Sequence, residues 1–176
     1  MILGIDIDDT IFDTRKYIKV CWEEYHDKYG ITRYTKEIPS TINTGWDDPD
    51  ITRFWDLYRD KLCGIVQAKK DASISLIKLR NNGFGLKIVT ARPFYQRYAT
   101  LSSLKRNRII FDDLIMNAKL KGEACKKNGV DLLIDDTQIN LDDAQSFGVD
   151  TFLFEEQYTW NEVYKKILDI NKKRRF

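Results

Sequence analysis

Three stretches of the chain repeat one pattern, in which an amphipathic helical segment ends near a glycine and an apolar run follows. They read NNGFGLKIVT (81–90), KNGVDLLIDD (127–136) and SFGVDTFLF (146–154). A glycine there is typical of a helix C-terminus, where the residue after the helix needs a positive φ. The apolar runs are typical of strands buried on both faces. The pattern therefore predicts helices that alternate with buried strands.

Two further segments complete the predicted sheet. ILGID (2–6) is another apolar run, and RIIFDDLIM (108–116) holds a shorter one. Strands that alternate with helices form a parallel sheet with helices on both faces. The predicted fold class is therefore α/β, with a Rossmann-like three-layer arrangement around a parallel sheet.

The interval between the first and second strands is longer than a crossover connection needs. A crossover with its helix takes about a dozen or more residues. Inside the interval, apolar residues recur at helical spacing in residues 14–29 and 50–62, with turn residues between them. We therefore predict a small helical cap, residues 14–70, inserted after the first strand of a core domain formed by residues 1–13 and 71–176.

Composition excludes several classes of protein. The chain has 176 residues and a formal net charge of +2, which does not favour nucleic acid or a membrane surface as a partner. Its 3 cysteines form no C-x-x-C pair, which argues against a disulfide framework or a zinc site. The acidic start MILGIDIDDT is unlike a signal peptide, and no run approaches the ~20 apolar residues of a membrane span. We expect a soluble, cytoplasmic protein, and the sequence leaves its oligomeric state open, a homo-oligomer included.

The segment DIDDT (6–10) places carboxylates at the end of the first strand, the edge where open α/β sheets bind ligands. Because side chains alternate along a strand, we expect Asp6 and Asp8 to point the same way and Ile7 to point into the core. Close carboxylates repel unless a cation or a shared proton intervenes. Mg²⁺ prefers oxygen ligands and often bridges to substrate phosphate. The alternative is a simple acidic turn, because so short a motif is common by chance.

Two other strand ends point to the same edge. Thr90 closes IVT, where its hydroxyl and the following backbone N–H groups could hold a phosphate oxygen at a helix N-terminus. A helix cap is the simpler alternative. Asp135 and Asp136 close LLIDD, and carboxylates that converge at one edge require a metal.

A lysine before the next helix is a further candidate. Lys119 and Lys121 both precede KGEACKKNG, and either could neutralise a phosphoryl group. Most lysines are surface residues, which is the alternative for both.

In their order, these elements resemble the haloacid dehalogenase superfamily of phosphatases. Its four motifs match GIDIDDTI, IVTAR, the lysine of AKLKGEACKKNG, and LLIDD. The resemblance covers the chain except for the insertion, which falls where one class of helical cap lies in that superfamily. It implies a Mg²⁺-dependent phosphatase that acts through an aspartyl-phosphate intermediate.

The resemblance also implies a role for each motif residue. Asp6 resembles the nucleophile, and Asp8 resembles the acid/base, which would start protonated while Asp6 stays ionised. Thr90 resembles the phosphate-binding residue, and Lys121 resembles the lysine of the third motif. The implied metal ligands are the side chains of Asp6 and Asp135 and the backbone carbonyl of Asp8, with Asp136 beside them.

One position departs from the family pattern. The family often has glycine after the second aspartate, where this chain has Asp9. We expect the Asp9 side chain to point away from Asp6 and Asp8, and the protein to tolerate it.

A narrower resemblance, to deoxyribonucleotidase-like proteins, rests on TARP, on IIFDDLIMNAKLKGEACKKNGVDLLIDD and on TWNEVYKKI. It implies nucleoside monophosphates as substrates. Trp46 lies outside both helical patterns and is the candidate for stacking on a base, whereas Trp22 and Trp55 lie on apolar helix faces and are expected in the cap core. Arg92 is the second candidate substrate residue.

Three alternatives remain open. The substrate could be another small metabolite, such as a sugar phosphate. A signalling receiver domain also groups acids, a hydroxyl residue and a lysine around Mg²⁺, but receivers place the phosphoacceptor on a middle strand and have no helical insertion after the first. A catalytically silent scaffold of the same fold is the third, and the complete set of motif residues argues against it.

Overall fold

A parallel sheet forms the centre of the molecule, in a computed structural model that describes residues 1–30, 34, 37–39, 42 and 47–174. Its five strands are β1 (Ile2–Ile5), β2 (Gly85–Val89), β3 (Asp113–Ile115), β4 (Leu132–Asp135) and β5 (Asp150–Leu153). Their order across the sheet is β3-β2-β1-β4-β5, and all neighbouring pairs are parallel. The α/β prediction is confirmed.

Helices cover both faces of this sheet. They are α1 (Thr14–Tyr29), α2 (Pro49–Ile65), α3 (Ala72–Asn81), α4 (Arg97–Arg106), α5 (Gly122–Lys127), α6 (Gln138–Ser146) and α7 (Trp160–Lys173), with a short 3-10 helix at Phe94–Gln96. Apolar side chains of α3, α4 and α7 share one core cluster, and those of α5 and α6 share another. The three-layer arrangement is therefore present. Among the described residues, no helix has the length and apolar character needed to cross a membrane.

The predicted boundaries are close to those observed. The glycines that follow α3, α5 and α6 have positive φ, with values of 82° at Gly83, 64° at Gly129 and 74° at Gly148. The first strand ends at Ile5 rather than at Asp6, although the Asp6 N–H still donates to the Ile134 carbonyl at 3.0 Å. The sheet hydrogen bonding thus continues one residue beyond β1, into the first carboxylate of DIDDT.

The inserted helices α1 and α2 pack against each other around an aromatic cluster of their own. Trp22, Tyr25 and Phe54 are buried there, and Trp55 packs on the outside of the cluster. Rings of this cluster meet edge to face, as in the pair of Trp22 and Phe54, whose centroids are 5.2 Å apart. Trp22 therefore lies in the core between α1 and α2, as its periodicity predicts, whereas Trp55 is only partly buried against that core.

The cap joins the core through two segments that run side by side. Phe12 and Ala68 form an antiparallel bridge, and the Lys69 N–H donates to the Ile11 carbonyl at 2.8 Å. Because the outgoing segment starts at the carboxyl end of β1, the cap is attached at that edge of the sheet. The domain boundaries at residues 13 and 70 stay a prediction.

Candidate active site

Strand register places two carboxylates side by side at the carboxyl edge. Ile5 pairs with Ile134, so the next residues, Asp6 and Asp135, are neighbours across β1 and β4. Asp6 is 6% exposed and Asp135 is fully buried. One carboxylate oxygen from each of Asp6, Asp135 and Asp136 lies within 4.8 Å of the other two. We call these three residues the carboxylate cluster.

Lys121 is the ammonium that balances this cluster. Its side chain is buried, and its Nζ donates to the carboxylates of both Asp6 and Asp135. Lys119, the alternative in the sequence, is exposed. The structure therefore brings Lys121, not Lys119, to the strand ends.

The residue after Lys121 explains how the lysine reaches so deep a position. A Cβ at Gly122 would lie 2.6 Å from the carbonyl oxygen of Asp143, so only glycine fits without a shift. The Gly122 N–H also donates to the Asp143 carboxylate at 2.6 Å. This close approach packs the start of α5 against α6 and directs Lys121 toward the carboxylate cluster.

The charges within the cluster do not cancel. Burial raises the pKa of Asp6 to about 8 against the opposing charge of Lys121, with Asp135 and Asp8 adding to the rise. Burial and the charges of Asp135 and Asp9 raise the pKa of Asp136 to about 6. With all three carboxylates ionised, one ammonium leaves two negative charges, which a divalent cation would balance. An all-oxygen donor set of this charge fits Mg²⁺.

Asp8 belongs to a second group of charges. Arg92 donates to both oxygens of the Asp8 carboxylate, from Nε at 2.9 Å and from Nη2 at 2.6 Å. The Thr14 hydroxyl donates to the same carboxylate at 2.7 Å. We call Asp8, Arg92 and Thr14 the acid clamp.

The acid clamp affects the protonation of Asp8. Burial alone would raise the pKa of Asp8, but the charge and hydrogen bonds of Arg92 lower it below its usual value. The family resemblance implies a protonated Asp8 and an ionised Asp6. That order depends on a cation at Asp6. Without the cation, Arg92 favours the charged form of Asp8, and burial opposes ionisation of Asp6.

Thr90 is buried at the end of β2, but not at a helix N-terminus. Its hydroxyl accepts a hydrogen bond from the Arg92 N–H at 3.2 Å, and the next helical residues begin only at Phe94. The reason is Pro93, which is extended, with φ −71° and ψ 156°, and which disfavours helical backbone at the residue before it. The expected helix N-terminus at Thr90 is therefore wrong.

Asp9 has a backbone conformation that is common for glycine. Its φ is 57°, in the left-handed region that glycine adopts readily and that aspartate tolerates better than most residues. Its carboxylate accepts the Arg15 N–H at 2.8 Å, which turns the side chain toward α1.

Two residues that the sequence predictions do not include donate hydrogen bonds to the carboxylate cluster. Asn140 donates to Asp135 at 3.0 Å, and the Thr10 hydroxyl donates to Asp136 at 3.3 Å. Thr10 is part of the DIDDT motif, so its position was a usable signal, whereas nothing in one sequence marks Asn140. Trp46, the candidate for base stacking, lies outside the described residues.

Comparison with solved structures shows which known proteins share this fold. A haloacid dehalogenase-like hydrolase from Streptococcus pneumoniae superposes with a TM-score of 0.70 at 14% identity, over 94% of this chain and 97% of that one. The chain has the haloacid dehalogenase-like fold. A protein described as a predicted phosphatase from Clostridium acetobutylicum shares the fold with a TM-score of 0.70 at 16% identity, over 96% and 98% of the two chains.

A third protein with this fold is described as a predicted phosphoglycolate phosphatase from Haemophilus somnus. It superposes with a TM-score of 0.66 at 15% identity, over 97% of each chain. No protein-family model matches the sequence, and no curated protein matches it. The haloacid dehalogenase-like fold is thus shared with proteins of low sequence identity.

Proposed function

We propose that this protein is a Mg²⁺-dependent phosphomonoester hydrolase that forms an aspartyl phosphate on Asp6. The observation that carries the proposal is the carboxylate cluster at the end of the central strand, where Asp6 lies beside Asp135 with Lys121 bound to both. Ligands of open α/β sheets bind at this edge. The haloacid dehalogenase-like fold supports the same reaction class.

The proposed reaction has two steps. The Asp6 carboxylate attacks phosphorus, the bond to the leaving oxygen breaks, and Asp8 gives that oxygen a proton. Asp8 then takes a proton from water as the water attacks the aspartyl phosphate, which frees phosphate and restores Asp6. Lys121 and buried Thr90 are the candidates that hold the phosphoryl oxygens during both steps.

The carboxylate cluster would hold the cation. Asp6 and Asp135 would contribute side chains, Asp8 its backbone carbonyl, and Asp136 lies beside them. When bound, Mg²⁺ would neutralise charge on the phosphoryl oxygens. The protonation of Asp8 must then be set with the substrate in place, because its own surroundings favour the charged form.

For the substrate, we propose nucleoside monophosphates. Support comes from the resemblance of TARP and of the stretch through LLIDD to deoxyribonucleotidase-like proteins, and from Trp46 in the cap segment. A second candidate class is small phosphorylated metabolites, including sugar phosphates and phosphoglycolate. The fold match to a predicted phosphoglycolate phosphatase favours including that ester in any screen.

The test is phosphate release from a panel of nucleoside monophosphates, sugar phosphates and phosphoglycolate, with Mg²⁺ and with a chelator. We expect release only with Mg²⁺, and highest kcat/KM with a nucleotide. A phosphorylated Asp6 identified by mass spectrometry after rapid acid quenching would support the covalent step. Activity confined to sugar phosphates would overturn the nucleotide assignment and leave the phosphatase assignment in place. A protein that holds phosphate on Asp6 without turnover would instead be a signalling or scaffold domain.

A further inference from the structure

The guanidinium of Arg92 is bound through all three of its nitrogens. Nε and Nη2 donate to the two oxygens of Asp8. Nη1 donates to the Thr100 hydroxyl at 3.4 Å and approaches the Cys63 sulfur at 3.5 Å. The side chain of Arg92 is only 9% exposed, against 37% for that of Asp8. Arg92 is therefore packed behind Asp8, and the acid faces solvent more than the arginine does.

The partners of this arginine belong to different parts of the chain. Thr100 lies in α4 of the core, whereas Cys63 lies near the end of the cap helix α2, and both are buried. Thr14, the other donor to Asp8, is the first residue of the cap helix α1. The carboxylate of Asp8 is thus held between the core and both ends of the cap.

These contacts restrict the rotation of the Asp8 carboxylate about its terminal torsion. The terminal torsion of a carboxylate is broad, so a free Asp8 could rotate its oxygens away from a leaving group. A bidentate arginine pair defines the plane of the carboxylate as well as its position. Lysine cannot replace this fork, because an ammonium is a point charge.

We propose that Arg92 is a positioning residue for Asp8, which orients the acid/base carboxylate, rather than a residue that contacts the substrate. This inference rests on the proposed function, in which Asp8 protonates the leaving oxygen. Thr14 and Cys63 connect this pair to the helices α1 and α2.

The test compares Arg92→Lys with Arg106→Lys in the full chain. Arg106 is the matched control, because it donates to the carbonyls of Cys63 and Val66 and so contacts the same cap segment without touching Asp8. Each variant is assayed on p-nitrophenyl phosphate, whose phenolate leaves without a proton, and on an alkyl phosphate, whose alkoxide needs one. The quantity compared is kcat/KM, which reports the attack on phosphorus and the departure of the leaving group.

For Arg92→Lys we expect kcat/KM on the alkyl ester to fall by about 10²-fold or more, through kcat, because general acid catalysis contributes that much. On p-nitrophenyl phosphate we expect a change within about threefold, and Arg106→Lys should stay within about threefold on both esters. If Arg92→Lys unfolds by circular dichroism, Thr14→Val removes the other donor to Asp8 and should give the same leaving-group dependence with a smaller loss.

Equal losses on the two esters would overturn the positioning role and make Arg92 a structural residue. A higher KM with unchanged kcat would also overturn it and return Arg92 to the substrate site. A wild-type protein that hydrolyses neither ester would overturn the proposed function together with this inference. Failure of the Arg92 role alone is therefore distinguishable from failure of the proposed phosphatase function.

Discussion

Asp6 and Asp8 are two residues apart at the end of one strand, yet the protein holds them in different ways. Asp6 is buried in the core beside Asp135, and a single ammonium, Lys121, is bound to both. Asp8 is more exposed and is bound by a planar guanidinium that also reaches the cap. The carboxylate cluster keeps surplus negative charge, whereas the acid clamp pairs one carboxylate with one cation.

The surroundings of Asp6 and Asp8 favour different properties of the two carboxylates. Surplus charge in a buried place favours a bound cation and opposes ionisation of Asp6 until that charge is balanced. A bidentate pair favours one orientation of Asp8. Two aspartates that follow β1, two residues apart, thereby become suited to different tasks.

The largest expected effect follows from removing the charge of Asp6. We expect Asp6→Asn to lower kcat by about 10⁴-fold or more, because the amide keeps the shape but is a poor nucleophile. The acid clamp should survive, so the variant should remain folded by circular dichroism. Phosphate release from p-nitrophenyl phosphate gives the rate. Asp9→Asn is the control that should stay active, because the Asp9 carboxylate accepts the Arg15 N–H and faces α1. Retained turnover in Asp6→Asn would exclude Asp6 as the nucleophile.

The next effect concerns stability. Lys121→Met leaves buried carboxylates without their ammonium, and breaking a buried ion pair in this way costs about 3–5 kcal/mol. Urea unfolding monitored by fluorescence measures the change, with Lys119→Met, an exposed lysine in the same segment, expected within about 0.5 kcal/mol of wild type. A small change in both variants would mean that the cluster does not depend on Lys121 for its stability.

A third experiment measures how Mg²⁺, which would balance the surplus negative charge of the carboxylate cluster, changes thermal stability. A ligand at 100 times its Kd stabilises the folded state by about 2.7 kcal/mol, so Mg²⁺ should raise the melting temperature. Asp135→Asn should remove most of that shift, whereas Asp169→Asn, an exposed residue of α7, should keep it. An equal Mg²⁺ shift in both variants would place the cation elsewhere.

The smallest effect tests the cap. Stacking of a base on an aromatic ring contributes about 1–3 kcal/mol, so Trp46→Ala should weaken nucleotide turnover about tenfold. p-Nitrophenyl phosphate needs only the phosphate site and should be spared. Steady-state kinetics on both substrates decide the matter, since an equal loss on both would make Trp46 a structural residue.

The sequence by itself determined the alternation of helices and strands, and with it the edge at which Asp6 and Asp135 meet. Periodicity and glycine positions are local signals, and parallel strands present their carboxyl ends at one edge whatever their exact register. The burial of Trp22 between α1 and α2 was equally predictable, because it follows from the spacing of apolar residues along one helix.

Only the tertiary structure decided which charges meet. Local pattern does not separate Lys119 from Lys121, and the motif resemblance alone favours Lys121. The close packing at Gly122 is what buries that lysine. The Arg92 guanidinium binds the carboxylate of Asp8, a contact between residues far apart in the chain. These outcomes depend on contacts between residues far apart in the chain, where a shift of a few ångströms changes the partner, and no local pattern encodes such distances.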